Sequence, residues 1–198
     1  MRKAEIKRTT KETDIGVKLD IDGSGGSKIE TGIGLLDHLL ELFSFWGMFE
    51  LEISAKGDFK IDIHHTNEDV GIALGKAFKE ALGDKCGIRR IGWASVPMEE
   101  VSADVAADIC GRGYFKIIFP QGLKPEGSEG YGAGDAEHFL DAFAKQLGMN
   151  LHVKINGSGS DLHSTLEPAF KALGLALRSA VEIDPRRKGV PSSKGVID

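Results

Sequence analysis

Two adjacent histidines and a nearby glutamate lie in the stretch DIHHTNED, residues 62–69. Imidazole nitrogens and carboxylate oxygens are the donors that borderline divalent metal ions accept. Neighbouring residues of an extended or turning chain point in diverging directions, so His64 and His65 are not expected to share one ion. His65 and Glu68 are three residues apart where a helix is predicted to begin, a spacing that places both side chains on one helix face. We therefore expect His65 and Glu68 to hold one ion and His64 to reach toward a second.

The elements around this motif are predicted to hold it rigidly. The apolar spacing predicts a helix over 67–82, with Thr66 as its N-cap, Asp69 completing a capping box and Gly83 ending it. The histidine pair then lies on the loop that enters a helix, where a scaffold fixes the direction of each ligand.

The preceding elements alternate between strand and helix patterns. Residues 5–10, 15–21 and 51–55 are predicted strands. The Gly-rich segment 22–27 is interpreted as a flexible loop rather than a phosphate cradle, because no helix follows it at once. A helix is predicted over 35–45, and His38 lies among its apolar residues.

The second half of the chain repeats the first. The motif at His64 returns 99 residues later at His163, and Asp37-His38 returns 100 residues later as Glu137-His138. The shared order of short matches indicates a tandem duplication with the halves packed about a pseudo-twofold axis. We assign 1–85 to the first half, 86–184 to the second and 185–198 to a C-terminal tail. The repeat-equivalent candidates for metal binding are His38, His64, His65, Glu68, His138, His163 and Glu167.

Length and composition limit the classes of function. The 198 residues are 41% hydrophobic, which is enough for a sizeable core, and the net charge of -5 gives no electrostatic case for nucleic acid or an anionic membrane. No apolar run approaches the roughly 20 residues that span a bilayer, and the start lacks an apolar signal core. Cys86 and Cys110 are too few for a disulfide scaffold. We expect a cytoplasmic protein that binds neither nucleic acid nor membranes.

Several motifs resemble the successive signatures of the imidazoleglycerol-phosphate dehydratase family of histidine biosynthesis. They are TGIGLLDH at 31–38, DIHHTNED at 62–69, PMEE at 97–100, FKA at 170–172 and PSSKG at 191–195. The resemblance implies an α+β fold of two internally duplicated βαβ-type halves, with two four-stranded sheets packed with four helices, as in a ribosomal-protein domain. It also implies 24 subunits built from trimers, with two manganese ions (Mn²⁺) at subunit interfaces.

The resemblance assigns the ligands of the two ions. One ion would take His38, His65 and Glu68, with His163 from a neighbouring subunit. The other would take His64, His138 and Glu167, with a second histidine directly after His163. This chain has Ser164 there, which leaves the second ion three protein ligands. We therefore expect the second ion to bind weakly, or to be completed by water or by the substrate.

Three further features concern the residues around Ser164 and the first predicted helix. Trp46 stands where the family has a histidine, and Asp161 stands where it has an asparagine. Ser164 and Glu167 also form a Ser-x-x-Glu pattern, which predicts a capping box in which Glu167 bonds the backbone instead of a metal.

The implied reaction removes water from D-erythro-imidazoleglycerol phosphate to give imidazole-acetol phosphate. Loss of the hydroxyl needs an acidified C–H bond, which the substrate's imidazole supplies when metals hold its nitrogens. The resemblance points to Glu12 as the base and substrate contact, with its repeat partner Glu100 as the alternative and Glu68 and Glu167 as further catalytic carboxylates. The implied contacts to substrate and phosphate are Arg90, Arg112, Lys171, Ser192 and Lys194. The polar tail around 190–196 is expected to close over the ligand.

Three functions fit these features. The first is an active two-metal dehydratase, which the coverage of the motifs favours. The second is a metal-binding shell protein of the same fold that has lost catalysis through Ser164. The third is a different metal-dependent lyase or hydrolase acting on another phosphorylated imidazole or alcohol. Retention of Arg112, Lys171 and Lys194 argues against storage, which has no use for phosphate contacts.

Overall fold

The duplication is visible in the order of helices and strands. The computed structural model describes residues 2–123, 130–158 and 161–197. The first half contains β1 (Lys3–Thr9), β2 (Asp14–Asp20), β3 (Ser27–Glu30), α1 (Gly34–Gly47), β4 (Glu50–Lys56) and α2 (His64–Leu82). The second half contains β5 (Ile91–Met98), β6 (Val101–Asp108), β7 (Tyr114–Ile118), α3 (Ala133–Leu147), β8 (Asn150–Gly157) and α4 (Leu162–Val181).

Each half builds one four-stranded mixed sheet with the same topology. The strand orders are β1-β2-β4-β3 and β5-β6-β8-β7. In each sheet the last pair is parallel and the other two pairs are antiparallel. The register pairs Val17 with Ile53 in the first sheet and Val105 with Val153 in the second, and all four side chains are buried. The α+β architecture of two four-stranded sheets and four helices is therefore confirmed.

The four helices join the halves by pairing across them. Helix α2 packs on β1 and β2, and α4 packs on β5 and β6, so each covers one face of its own sheet. Helix α1 of the first half pairs with α4 of the second, and α3 of the second half pairs with α2 of the first. Their buried side chains form one continuous core. Each helix pair thus contains one helix from each half.

Glycines allow both helix pairs to approach closely. A Cβ at Gly75 of α2 would lie 2.7 Å from the Phe143 carbonyl oxygen of α3. A Cβ at Gly174 of α4 would lie 2.5 Å from the Phe43 carbonyl oxygen of α1. These glycines are 99 residues apart and occupy equivalent positions in the two halves. The repeated close contact fixes the distance between the paired helices at equivalent points in the two halves.

The structure corrects two local expectations. Helix α2 begins at His64 rather than at Asn67, and its N-cap is Ile63. Thr66 is not the cap, because its side chain is fully buried and its hydroxyl has no hydrogen-bond partner among the described residues. The short strands β3 and β7 were not located in the sequence. Both lie at sheet edges and pair in parallel with distant strands.

The segment after α4 is attached to the turn before β5. The backbone N–H of Arg89 donates to Glu182, that of Asp184 donates to Gly87, and that of Gly87 donates to Gly189. This chain segment ends at the buried Pro191, after which the residues are mostly exposed. Among the described residues, none of the helices combines the length and the apolar character needed to cross a membrane.

Candidate functional site

A first cluster of metal-type donors forms where α1 meets α4. Nε2 of His38 lies 3.2 Å from Oε1 of Glu167, and Nε2 of His163 lies 3.1 Å from the same oxygen. The three donor atoms lie within 4.8 Å of one another. We call His38, His163 and Glu167 the α1–α4 cluster. It brings one histidine from the first half together with a histidine and a carboxylate from the second.

Short-range hydrogen bonds fix both helices that carry this cluster. The carboxylate of Asp37 accepts a 2.8 Å hydrogen bond from the Thr31 N–H at the entrance to α1. Asp161 is the N-cap of α4, and its carboxylate accepts hydrogen bonds from the N–H and hydroxyl of Ser164 at 2.8 and 2.9 Å. These bonds to Ser164 lower the pKa of Asp161. The capping box expected from Ser164 to Glu167 is wrong, because Asp161 caps the helix and leaves Glu167 to the histidines.

Lysine 171 supplies a positive charge to the α1–α4 cluster. Its Nζ lies 2.6 Å from Oε2 of Glu167, one helical turn away. Burial raises the pKa of Glu167, but hydrogen bonds from Lys171 and His38 outweigh it and the net shift is downward. Glu167 is therefore anionic at neutral pH, with one oxygen facing two imidazoles and the other facing an ammonium group.

A second cluster forms where α2 meets α3. Nε2 of His64 lies 3.8 Å from Oε2 of Glu68, four residues along the helix. The rings of His64 and His138 contact edge to face with centroids 4.8 Å apart. We call His64, Glu68 and His138 the α2–α3 cluster. Its members match His163, Glu167 and His38 of the α1–α4 cluster at offsets of 99 and 100 residues.

The expected ligand sets draw on a neighbouring subunit and stay a prediction, but within one chain each carboxylate lies beside histidines of the other expected set. Glu167 lies with His38 and His163 of its own chain, and Glu68 lies with His64 rather than with His65. The reason is the helix geometry. Helix α2 starts at His64, so a four-residue spacing places Glu68 beside His64. Helix α1 pairs with α4, which places Glu167 beside His38.

His65 faces away from the α2–α3 cluster toward two other carboxylates. Its Nδ1 lies 3.0 Å from Oδ2 of Asp58 and 3.8 Å from Oε2 of Glu12. The hydrogen bond that His65 donates to Asp58 raises the pKa of His65, and Glu12 adds a smaller effect in the same direction. Glu12, the predicted base, therefore lies beside a predicted metal ligand, whereas Glu100 lies in the exposed turn between β5 and β6.

Arg90 is held by a carboxylate and by the C-terminal tail. Its Nε and one terminal nitrogen bond both oxygens of Asp108 at 2.6 and 3.0 Å. The other terminal nitrogen donates to the carbonyl oxygen of Pro191 at 3.0 Å. The hydrogen bonds to Asp108 raise the pKa of Arg90. Arg90 thus fixes the point at which the tail leaves the body of the protein.

The other predicted substrate contacts are exposed or partly exposed. Arg112 is exposed and follows Gly111, whose backbone has a φ of 92°. In the tail, the Ser192 hydroxyl accepts a hydrogen bond from the Lys194 N–H at 3.2 Å, which closes a tight turn. The side chain of Lys171 is committed to Glu167 rather than to open solvent.

Three residues near the site were not identified from the sequence. Asp58 belongs to no motif in the sequence, yet one of its oxygens contacts His65 and the other is buried without a partner among the described residues. Asp108 had no motif to mark its contact with Arg90. Tyr131 is fully buried beside the start of α2 and was not assigned any role.

The donor types of both clusters are those that a borderline divalent ion accepts, but among the described residues only the α1–α4 cluster places three donor atoms within 4.8 Å of one another. Each cluster offers two imidazoles and one carboxylate, and four to six ligands are usual for zinc, manganese or iron, so each leaves room for further ligands. The clusters are partly exposed, with side-chain exposures between 13% for Glu167 and 49% for Glu68 among the residues in ion-pair contact. Entry of an ion and a small ligand is therefore open in both.

Comparison with known proteins gives one consistent family. The family model for imidazoleglycerol-phosphate dehydratase matches residues 31–177. The enzyme of that name from Thermoanaerobacter pseudethanolicus is 49% identical over 197 residues, with all of both chains covered. That from Maridesulfovibrio salexigens is 47% identical, covering 100% of this chain and 98% of the relative. The Pyrococcus furiosus crystal structure superimposes with a TM-score of 0.82 at 34% identity, covering 96% of this chain and 99% of that one.

Proposed function

We infer the reaction of this chain from its family, since it belongs to the imidazoleglycerol-phosphate dehydratases, which are hydro-lyases of histidine biosynthesis. We propose that it removes water from D-erythro-imidazoleglycerol phosphate to give imidazole-acetol phosphate, using two divalent ions, with Mn²⁺ as the proposed metal. The family relationship and the residues at the two clusters support this proposal from independent directions.

The single observation that carries the metal dependence is the matched pair of clusters. The same histidine and carboxylate donors recur at the α1–α4 and α2–α3 helix pairs, related by the internal duplication. The substrate's imidazole ring has a nitrogen on each side. Such a ring could contact two ions at once, so the substrate matches a protein that offers two ion sites. His38, His163 and Glu167 would hold one ion, and His64, Glu68 and His138 would hold the other. When bound, divalent ions stabilise negative charge that develops on the substrate's imidazole.

Glu12 is the proposed base. Its carboxylate lies 3.8 Å from the ring of His65 and is about half exposed, so it reaches both the predicted metal ligands and solvent. It would take the proton from the substrate carbon that lies between the phosphate-bearing carbon and the carbon attached to the imidazole, while the hydroxyl on the carbon attached to the imidazole leaves with a proton as water. The resulting enol becomes the ketone of the product. Asp58 contacts the same nitrogen, Nδ1 of His65, at 3.0 Å and helps to orient the ring.

The phosphate of the substrate requires cations near the clusters. Arg112 and Lys194 are exposed and available, and Arg90 links the tail that carries Ser192 and Lys194 to the body of the protein. In this arrangement Lys171 neutralises Glu167, and its ammonium group lies at the edge of the α1–α4 cluster. We propose that these cations bind the phosphate and that the tail closes when it does.

The proposed assembly is a homo-oligomer of 24 subunits built from trimers. His65 and Ser164 lie outside the clusters of their own chain, at equivalent repeat positions, so each remains available to a site on a neighbouring subunit. Exposed large apolar side chains on the second sheet, among them Ile91 and Trp93, are consistent with burial between subunits.

The decisive experiment is a Mn²⁺ titration of metal-stripped protein, following dehydration of imidazoleglycerol phosphate and bound metal per chain in the same samples. Activity that appears as the second equivalent binds supports the two-metal dehydratase. One tight equivalent without turnover would instead favour a metal-binding shell protein, which Ser164 makes the second candidate. Turnover that is undiminished after complete metal removal would contradict metal dependence.

A further inference from the structure

Tyr131 and Asn67 form a buried polar link between two helices. The Tyr131 hydroxyl donates to Oδ1 of Asn67 at 3.0 Å, and Nδ2 of Asn67 donates to the backbone carbonyl of Asp135 at 2.8 Å. Both side-chain residues are fully buried. Burial raises the pKa of Tyr131 well above its usual value, so its hydroxyl stays a proton donor at any physiological pH. The side-chain amide of Asn67 thus accepts one hydrogen bond and donates another, which fixes its orientation.

The link joins the first turns of α2 and α3. Asn67 lies in α2 directly before Glu68, and Asp135 lies in α3 three residues before His138. A shift of either helix by one residue would break a directional hydrogen bond made by the buried amide of Asn67. The same shift would separate the rings of His64 and His138, which now lie 4.8 Å apart.

The other helix pair has no such link at the equivalent positions. Leu166 stands 99 residues after Asn67, and Thr31 stands 100 residues before Tyr131. Leu166 is a fully buried apolar side chain, and Thr31 bonds Asp37 of its own half. The α1–α4 cluster is held instead by its own hydrogen bonds, from His38 and His163 to Glu167. The α2–α3 cluster has a longer contact of 3.8 Å between His64 and Glu68, so its geometry depends more on the scaffold.

We propose that Tyr131 and Asn67 are positioning residues that hold His64 and His138 of the α2–α3 cluster in the arrangement that binds a divalent cation. This inference rests on the metal-dependent function proposed above. Neither residue touches the ion or the substrate, and both act by keeping α2 and α3 in a fixed relation. Partners that orient metal ligands typically change metal affinity by about 10- to 100-fold when they are removed.

The test is a Mn²⁺ titration of metal-stripped Tyr131→Phe, with free Mn²⁺ measured by electron paramagnetic resonance. His138→Ala first identifies which class of bound ions belongs to the α2–α3 cluster. In Tyr131→Phe we expect the Mn²⁺ affinity at the α2–α3 cluster to fall by about tenfold or more. The Mn²⁺ affinity of the other class of bound ions should not change. Tyr114→Phe removes the same hydroxyl from an exposed position on β7 and should change neither class.

A second variant separates positioning from general stability. Tyr131→Phe leaves the buried amide of Asn67 without its donor, so it could lose ion binding by unfolding. The double variant Tyr131→Phe with Asn67→Leu restores the apolar contact found at Leu166 in the other half. We expect it to recover thermal stability but not cation affinity at the α2–α3 cluster.

Two results would overturn the positioning role. One is wild-type cation affinity in Tyr131→Phe, and the other is full recovery of affinity in the double variant. Failure of the proposed function gives a different result, since wild-type protein would then bind the cations and not dehydrate the substrate. In that case the affinities of the variants still decide the role of Tyr131 and Asn67.

Discussion

His38 and Glu167 are separated by 129 residues, yet Nε2 of the histidine lies 3.2 Å from Oε1 of the carboxylate. The contact exists because α1 of the first half pairs with α4 of the second. His163 contacts the same oxygen from the preceding turn of α4, at 3.1 Å. One carboxylate oxygen therefore organises donors from both halves of the chain.

The first prediction concerns Glu167→Gln. The amide keeps the shape of the side chain but removes the anionic ligand, so we expect Mn²⁺ affinity at the α1–α4 cluster to fall by at least about tenfold. The measurement is a Mn²⁺ titration of metal-stripped protein. Glu80→Gln alters an exposed glutamate near the far end of α2 and should leave both affinities unchanged. Equal affinities in Glu167→Gln and wild type would remove Glu167 from the metal site.

The second prediction concerns the proposed base. Glu12→Gln retains a polar side chain beside His65 but cannot accept the substrate's proton, so kcat should fall by about 10²- to 10⁴-fold with Mn²⁺ binding retained. Steady-state kinetics at saturating Mn²⁺ measure the effect. Glu100→Gln is the matched variant because it is the repeat equivalent of Glu12. A large loss in Glu100→Gln with normal turnover in Glu12→Gln would transfer the role of base to Glu100.

The identity of the candidate ligands could be predicted from the sequence because their types and repeat spacing are local features. The motif at 62–69 marks His64, His65 and Glu68, and its copy at 163–167 marks His163 and Glu167, without any structure. Their partners could not be predicted, because the match of Glu167 to His38 depends on which helices pair across the halves. A one-turn difference in the start of α2 was enough to exchange His65 for His64 beside Glu68.

The elements that were missed share a dependence on distant residues. Strand β3 is four residues long and follows a Gly-rich loop, so its pairing with β4 leaves little local signal. The link from Tyr131 to Asn67 spans 64 residues and follows no helical or strand period. Such contacts form when tertiary packing brings two buried polar groups together, and only the folded chain reveals them.

The third prediction concerns the anchor of the C-terminal tail. Asp108→Asn removes the charge that holds Arg90, so Arg90 should release the Pro191 carbonyl more often. We expect faster tryptic cleavage after Lys188 and Lys194 and a several-fold higher KM for the phosphorylated substrate. Asp22→Asn breaks a similar pair with Arg2 whose hydrogen bonds do not reach the tail. Cleavage and KM at wild-type values in Asp108→Asn would show that the ion pair does not control the tail.

The fourth prediction concerns the close contact of α1 and α4. A Cβ at Gly174 would lie 2.5 Å from the Phe43 carbonyl oxygen, so Gly174→Ala should lower the free energy of unfolding by about 1–3 kcal/mol. This cost exceeds the gain of up to about 1 kcal/mol in helix propensity. Urea denaturation measures the free energy of unfolding of the variant and of the wild type. Gly34→Ala adds a methyl group at the start of α1 where no atom lies within 4 Å, and it should be neutral or stabilising. Equal stability of the two variants would show that the helices can separate without cost.

The last prediction concerns Ser164→His. The backbone N–H of residue 164 still donates to Asp161, so the variant keeps the main capping bond and loses only the 2.9 Å bond from the hydroxyl. The cost to stability should stay near 1 kcal/mol or below. Position 164 is the repeat equivalent of His65 and lies outside the clusters of its own chain, so the new imidazole adds a metal donor at the proposed subunit interface. We expect the weaker class of Mn²⁺ to bind at least about tenfold more tightly, measured by titration of metal-stripped protein.

Ser164→Asn, which is polar but has no imidazole nitrogen, should not produce this gain. If Ser164→His and Ser164→Asn bind Mn²⁺ equally, residue 164 does not contribute to either ion site, and the weaker ion must be limited by another residue.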